Sequence, residues 1–558
     1  MSSRRTSRFP NSLGATADRA DARSAAMRFA AYCGVVAGAA LLLFANMYGR
    51  PVKHVAAAPE VAAQLSVESS PPPPFPPLPA AVTSPLQLAH AAPPKPWVSP
   101  WVQHVPERGG YTFWSTDFHI APIADVRDVF RSLCDAHGLC HTVEEHSFSG
   151  ACAKTFGGRA SSCARGLRVI NKGNAFDLCE PGRRGPHALR RAFFDAYRGP
   201  GSALQHVDAF VCNHPPALCE LYMPFNKSIV VVASVNLEFG RENRRRWREW
   251  LRSLRAIAAD PRNVVAANNL YDAEYIRYYA GVQAEYVPSF CGYVSAFRYA
   301  PRAGKPVLLA RNHNNPAKLY AQLHAAAAAE RPTDRVGGGV SKTFGAAPLR
   351  FVRTEDAYPG GFEYAQLAAH PAVVVVPYTK SVMSLFELYR MNVPLFAPSL
   401  ALLVEWEMAH AVMAERVYWS AAPRPAELKA NDSATPYPNG RKSRKALTYW
   451  LALSDVYALP NITYFDSWEH LLVLLRAADL PAISAAMAKA NEGMLADLRA
   501  TWRRLIARMF GGRPPGARRV PAGTYEDAMR ALYGAAHVPP AAEPPCTRES
   551  RPEYGEWH

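Results

Sequence analysis

Two short segments, Ser228–Val235 (SIVVVASV) and Ala372–Pro377 (AVVVVP), restrict what this chain can fold into more than any other feature. Both are almost wholly apolar, and the first is rich in β-branched residues. A strand with one wet face would alternate polar and apolar residues. These runs instead need cover on both faces, the condition met inside a parallel sheet flanked by helices. Parallel strands in turn need long crossover connections, and the surrounding sequence supplies them.

Before and after the first run, helix-period and strand-like segments alternate. Val126, Val129, Phe130 and Leu133 fall on one helical face, and Leu167–Asn171 and Asp208–Asn213 read as short buried strands. Arg241–Ala259 sets Trp247, Trp250, Leu251, Leu254 and Ile257 at helical spacing with arginines between them. A strand at Asn263–Ala267, a helix at Tyr271–Ala280 stopped by Gly281, and a strand at Glu285–Ser289 follow. The second run sits in a cleaner series. Strands are expected at Pro306–Ala310, Leu349–Arg353, Ala372–Pro377, Val393–Ala397 and Ile462–Phe465. Helices are expected at Pro316–Ala329, Gly361–Ala369, Ser381–Asn392 and Leu400–Glu415. Asp466-Ser467-Trp468-Glu469 is a capping-box pattern opening a helix through Leu475. Long helices continue to about Phe510, and a Pro/Gly-rich tail is briefly helical near Tyr525–Leu532. Such alternation across short turns implies doubly wound α/β domains.

The N-terminal segment has another character. Phe29–Tyr48 carries no charge, and 20 residues at about 1.5 Å each span a hydrocarbon core of roughly 30 Å. Six arginines precede it (Arg4, Arg5, Arg8, Arg19, Arg23, Arg28), so the positive-inside rule keeps the N-terminus cytosolic and sends the remainder across. A cleaved signal would have a shorter apolar region. Gly34 and Gly38 form a GxxxG pair that would let two anchors pack as a homodimer. The expected organisation is a basic cytosolic tail (1–28), an anchor (29–48), a Pro-rich stem (49–104), an N-terminal α/β domain (105–300), a second (301–480), C-terminal helices (481–540) and a tail (541–558). Nine of the ten cysteines follow the anchor, as disulfides in an oxidising lumen would require. Nine is odd, so at least one thiol is left over within the chain. Sequons begin at Asn226, Asn431 and Asn461. The net charge of +17 suits acidic partners such as lipid headgroups, nucleotide sugars or acidic glycans, and nucleic acid would fit that charge too.

The stretch Val373–Ser399 (VVVVPYTKSVMSLFELYRMNVPLFAPS) runs from an apolar strand ending in Pro377, through a Ser-bearing loop, to a helix with Glu387 and an Asn392-Val393-Pro394 strand start. Together with the two α/β halves, it resembles the GT-B glycosyltransferases, whose two Rossmann-like domains face each other and bind acceptor and nucleotide-sugar donor respectively. The resemblance covers roughly residues 105–510. It implies a Golgi or endoplasmic reticulum type II membrane enzyme moving a sugar from a nucleotide donor to a glycan or glycoprotein, with no cofactor and no nucleic-acid partner. Expected donor-binding residues are Arg311, Tyr378, Lys380, Ser381, Ser384 and Glu387. The helix opening near Ser381 offers unpaired amides to a diphosphate, and Glu387 would accept from ribose hydroxyls. A retaining E-x7-E pattern is not intact, because Thr379 stands at its first position. For the base that takes the acceptor proton, His214 and Glu238 are the candidates, in that order.

The chain contains no Asp-x-Asp, which points to a metal-independent donor site, and neither GxSxG nor HExxH. Gly337–Thr343 lacks the Gly-Lys pair of a phosphate-binding loop and reads as a flexible loop. Two alternatives carry weight: a non-catalytic luminal binding protein of the same fold, and a Golgi sulfotransferase.

Overall fold

The strands fall into two sheets, and every pairing in both is parallel. The computed structural model describes residues 110–149, 167–180, 182–241, 244–313, 316–330, 344, 348–413, 435–440, 442–540 and 543. The expected anchor, stem, Asn431 sequon and Gly337–Thr343 loop lie outside them.

The first sheet contains β1 (Thr112–Asp117), β2 (Thr142–Ser147), β3 (Ala209–Cys212), β4 (Ser228–Ala233), β5 (Val264–Ala267) and β6 (Glu285–Tyr286), in the order β2-β1-β3-β4-β5-β6. The second contains β7 (Val307–Leu309), β8 (Phe351–Arg353), β9 (Val373–Val374), β10 (Leu395–Pro398) and β11 (Thr463–Phe465), in the order β11-β10-β9-β7-β8. Counted from its own first strand, the first sheet reads 2-1-3-4-5-6 and the second 2-1-3-4-5. This is a doubly wound α/β order whose direction reverses between the first and third strands.

The cover inferred for the β-branched runs is present on both faces. In β4, Ile229, Val231 and Ala233 enter one core with Trp247, Trp250 and Leu254, while Val230 and Val232 enter the opposite core with Val129, Phe130 and Trp502. In the second sheet Val374 and Val376 face one core, Val373 and Val375 the other.

The halves belong to one compact unit, and two helices join their cores. Helix Arg444–Leu451 sends Ala446 and Trp450 into the first half and Leu447 and Leu451 into the second. Helix Leu480–Phe510 places Met487 against the second sheet and Leu498, Trp502, Leu505 and Met509 against the first. The segment beyond Phe510 also completes the first half. Tyr525, Ala528 and Met529 of helix Tyr525–Tyr533 lie in its core. Among the described residues no single helix is long and apolar enough to cross a membrane.

Some sequence expectations need correction. Leu167–Asn171 is an irregular bend and not a strand, with Val169 at a φ of 75°. The strand it was expected to supply is replaced by β1 and β2, both of which the hydrophobic pattern misses. β1 (TFWSTD) buries Ser115, Thr116 and Asp117, and β2 (TVEEHS) is a polar edge strand. Disulfides Cys134–Cys140 and Cys212–Cys219 fasten the ends of helix Ile120–His137 and β3. Cys179 is also disulfide-bonded, and Cys291 is a buried free thiol.

Candidate functional site

In sheets of this order, ligands bind outside the carboxyl ends of the strands, at the point where the order reverses. In the second half that point lies between β7 and β9. A narrow pocket opens there, with only about 20 Å³ that a water can enter, lined by Arg311 after β7, by Tyr378, Thr379 and Lys380 after β9, and by Ser384 and Leu388 of helix Met383–Arg390. Its floor is apolar, formed by Val375, Val382, Leu385 and Val456. Arg311 is exposed, and Tyr378 lies against His313 with ring centroids 4.5 Å apart and planes inclined by 30°. Four of the six residues expected to bind the donor therefore converge: Arg311, Tyr378, Lys380 and Ser384.

Lys380 has a different task from the phosphate contact expected of it. Its ammonium is only 3% exposed and turns to the first half, where Nζ lies 2.8 Å from Asp272 Oδ1 and donates to Asn236 Oδ1 at 2.6 Å. The rings of Tyr271 and Tyr275 flank it at 5.0 and 5.4 Å. Asp272 stands in the first turn of helix Leu270–Ala280, capped by Asn269. Backbone bonds Tyr271 N–H to Leu453 carbonyl and Asp455 N–H to Lys380 carbonyl, at 3.1 Å each, hold the same junction.

Glu387 and Ser381 are also placed otherwise. Glu387 does not line the pocket; its carboxylate accepts from Tyr293 Oη at 2.8 Å and Tyr364 Oη at 2.9 Å. Burial pushes its carboxyl up, and the two tyrosine bonds oppose that shift. Arg390 packs over the Phe290 ring at 3.9 Å rather than against Glu387. The helix opening at Ser381 faces the buried carboxyl of Asp455, which burial holds well above the usual carboxylate range.

On the first half, the two base candidates part company. His214 sits at the β1–β3 reversal, with its backbone N–H donating to Asp117 Oδ2 at 2.8 Å. Its ring lies among Phe176, Phe239 and His119, and burial lowers it to about 3. Such an imidazole is too weakly basic to serve as a strong proton acceptor near neutral pH. Glu238 follows β4 beside Asn236. It is 1% exposed and accepts from Tyr275 Oη at 3.4 Å, and burial raises its carboxyl to about 7, partly countered by the charge of Lys380. Glu238 and Lys380 therefore share one acid–base cluster with Asp272. Of the two, Glu238 lies closer to neutrality, and neither lines the Arg311 pocket.

Asp272 and Asp455 were not singled out from sequence. Asn269-Leu270-Tyr271-Asp272 is a capping pattern, readable as a helix start but not as a lysine's partner. Among the described residues, no group of three or more His, Cys, Asp or Glu is placed to hold a metal ion.

The two sequons among the described residues differ. Asn461 is exposed, with Nδ2 donating to the Ala486 carbonyl at 3.3 Å. Asn226 is half-buried, bonded to Arg262 and the Arg519 carbonyl, and its partner Ser228 is fully buried in β4. Compared with protein-family models and with curated proteins, the sequence matches none.

Proposed function

We propose that the chain is a membrane-anchored glycosyltransferase of the GT-B type. It would act in the Golgi or endoplasmic reticulum lumen on a nucleotide-sugar donor and a glycan or glycoprotein acceptor. The observation that carries this reading is the pocket at the second sheet's reversal point, with exposed Arg311 among its lining. The Lys380 junction then brings the acid-bearing carboxyl edge of the first sheet to the same place. The membrane and luminal parts rest on Phe29–Tyr48, its arginine-rich flank and the clustered cysteines.

In this reading the Tyr378–His313 pair stacks the base and the Arg311 fork holds the diphosphate. Ser384 contributes a hydroxyl. Glu238 takes the base's part in place of His214. As the acceptor oxygen bonds the anomeric carbon, the bond to the nucleoside diphosphate breaks. The acceptor proton passes to the Glu238 carboxylate, and the diphosphate leaves with its charge against Arg311.

Thermal melting of the full chain with UDP-, GDP- and CMP-linked sugars tests this. A ligand at about 100 times its Kd stabilises by about 2.7 kcal/mol, which a melt resolves. Absence of a shift with every donor removes the reading. A non-catalytic binding protein is the second reading, favoured by the burial of Glu387 under two tyrosines. A donor that shifts the melt without sugar transfer to any glycan would select it.

A further inference from the structure

The edge of the first sheet at which its strands begin is strongly basic. The stretch Thr501–Val520 passes along it with six arginines and no carboxylate. Contacts to the first residues of the strands fix its place. Arg508 and Arg504 donate to the carboxylate of Glu285, which opens β6, at 3.0 and 2.8 Å. Arg518 donates to the Oγ of Ser228, which opens β4, at 2.8 Å, and the Arg513 carbonyl accepts from Tyr111 Oη, just ahead of β1, at 2.7 Å. The acids here are already engaged: Glu285 with Arg504 and Arg508, Asp260 with Arg262, and Asp208 with the Thr112 and Gly516 amides. The cations crowd one another. Burial, with the charges of Arg262 and Arg513, lowers Arg518 to about 10.

A groove opens in this edge between helix Arg244–Ala259, the start of β6 and helix Leu480–Phe510. Water can enter about 430 Å³ of it, within the range of small-ligand sites, roughly 300–1,000 Å³. Val265, Val282 and Pro261 give it apolar surface, and Arg255 and Arg508 line it too. Neither arginine is a loose surface cation. Arg255 Nε and Nη2 donate to the Ala280 and Tyr279 carbonyls at 2.9 and 3.0 Å, at the C-terminal end of helix Leu270–Ala280, where positive charge is favoured. Arg508 is anchored by Glu285. A guanidinium carries five N–H donors, so each of the two keeps others to offer.

Two pre-set forks suit the oxygens of carboxylates and sulfates. The shape of the site then selects among polyanions. A bilayer presents a flat surface, and a DNA duplex presents phosphates on a convex rod, so neither fills a groove with apolar walls. A sugar chain carries C–H ring faces beside its anions. Its rings can lie on Val265, Val282 and Pro261 while its acid groups meet arginine.

We infer that the amino edge of the first sheet docks an acidic polysaccharide, with one ring in the groove between Arg255 and Arg508 and further anions along Arg504, Arg513 and Arg519. Among the acidic partners that a charge of +17 suits, this surface selects the glycan. It lies at the opposite edge of the sheet from Glu238 and the Lys380 junction, and is independent of the transferase reading.

The test is titration of the full chain at about 0.15 M salt with a heparin hexasaccharide. Isomaltohexaose is the uncharged counterpart. A short DNA duplex and phosphatidylserine-containing vesicles are the other polyanions. The heparin fragment should bind most tightly and isomaltohexaose should not bind. Arg508→Gln combined with Arg513→Gln and Arg519→Gln changes only exposed side chains. It should weaken the heparin fragment by about tenfold or more. The slope of log Kd against log salt should fall by about two, at roughly 0.7 per cation contact. The combination Arg298→Gln, Arg302→Gln and Arg350→Gln removes the same charge from exposed sites in the second half and should bind like wild type. If the first combination fails to fold, Arg513→Gln with Arg519→Gln leaves the Glu285 pairs intact and should weaken binding several-fold. The inference is overturned if the heparin fragment does not bind, or if isomaltohexaose, DNA or vesicles bind as tightly. It is also overturned if the first combination binds like wild type, or if the second loses as much as the first. Heparin binding with no thermal response to any nucleotide sugar would reject the transferase reading and leave this inference standing.

Discussion

The two halves share one strand order and differ in what they carry at the same edge. Beyond the carboxyl ends of the first sheet stand Asp117, Asn213, His214, Asn236, Glu238, Asn268 and Asp272, all buried. The corresponding edge of the second sheet carries exposed Arg311, half-buried Tyr378, Thr379 and Ser384, and an open pocket. Topology therefore selects the place, and side chains decide its chemistry. The first edge is suited to holding protons and neutral hydrogen-bonding groups, the second to holding an anion beside a flat ring. Lys380 is the exception that joins them, a cation from the second edge used up by the first.

That exception is where the comparison breaks most easily. Lys380→Ala would leave Asp272 buried without its partner, and removing one member of a buried pair costs about 3–5 kcal/mol. Denaturant melts should show that loss. Lys380→Met with Asp272→Leu should recover most of it, because replacing both charges removes the uncompensated one. If the single and double variants are equally unstable, the pair does not hold the junction.

The second effect concerns protons. Burial raises Glu238 to about 7, so its folded pKa exceeds its unfolded one near 4.5. The associated stability is present below about pH 4.5 and is lost as pH rises through 7. Buried histidines such as His214 and His119, lowered to about 3 and 4, act in the other direction and lose stability as pH falls below about 6.5. Subtracting Glu238→Gln from wild type across pH 4–8 isolates the carboxyl. The variant should gain on wild type by on the order of 3 kcal/mol between the ends of that range. A flat difference would mean that Glu238 titrates in the folded protein as it does in the unfolded chain, and is not the group held for proton transfer.

What was legible in the sequence follows the same division between the halves. The second sheet was readable strand by strand, because Val307–Leu309, Val373–Val374 and Leu395–Pro398 are short apolar runs between helix-period segments. Its pocket was readable too, because residues directly after such strands line the reversal point. The first sheet was half hidden. β1 ends in Ser115, Thr116 and Asp117, all buried by virtue of bonds to β3 and its loop, such as Ser115 Oγ to the Val211 carbonyl at 3.0 Å. Hydropathy alone cannot register those bonds. Lys380 and Glu387 were assigned to the correct neighbourhood with the wrong partners. Their orientation depends on Asp272, Tyr293 and Tyr364, which lie 23 to 108 residues away in sequence. The Lys380–Asp272 contact joins the two halves, and no local pattern encodes a contact of that kind.

A third prediction sharpens the second edge. Arg311→Ala should weaken binding of a nucleoside diphosphate by about 1.5–3 kcal/mol, the range for hydrogen bonds to a charged group. Its melting temperature should stay within error of wild type, because the side chain is exposed. Isothermal titration with UDP and GDP reads both the loss and its salt dependence. Undiminished binding would move the anion site elsewhere.

The smallest expected effect is at Ser384, and it distinguishes the two faces of one helix. Ser384 and Leu388 face the pocket one turn apart, whereas Glu387 faces Tyr293 and Tyr364. Ser384→Ala should therefore cost nucleotide affinity about 0.5–1.5 kcal/mol, the net worth of a neutral hydrogen bond, with stability unchanged. Glu387→Gln should do the reverse. It leaves the pocket untouched but alters the acceptor that two half-buried tyrosines share, so the cost appears in the melt and not in the titration. An affinity loss at Glu387 without destabilisation would put its carboxylate back on the ribose, and the helix would have to present its other face to the ligand.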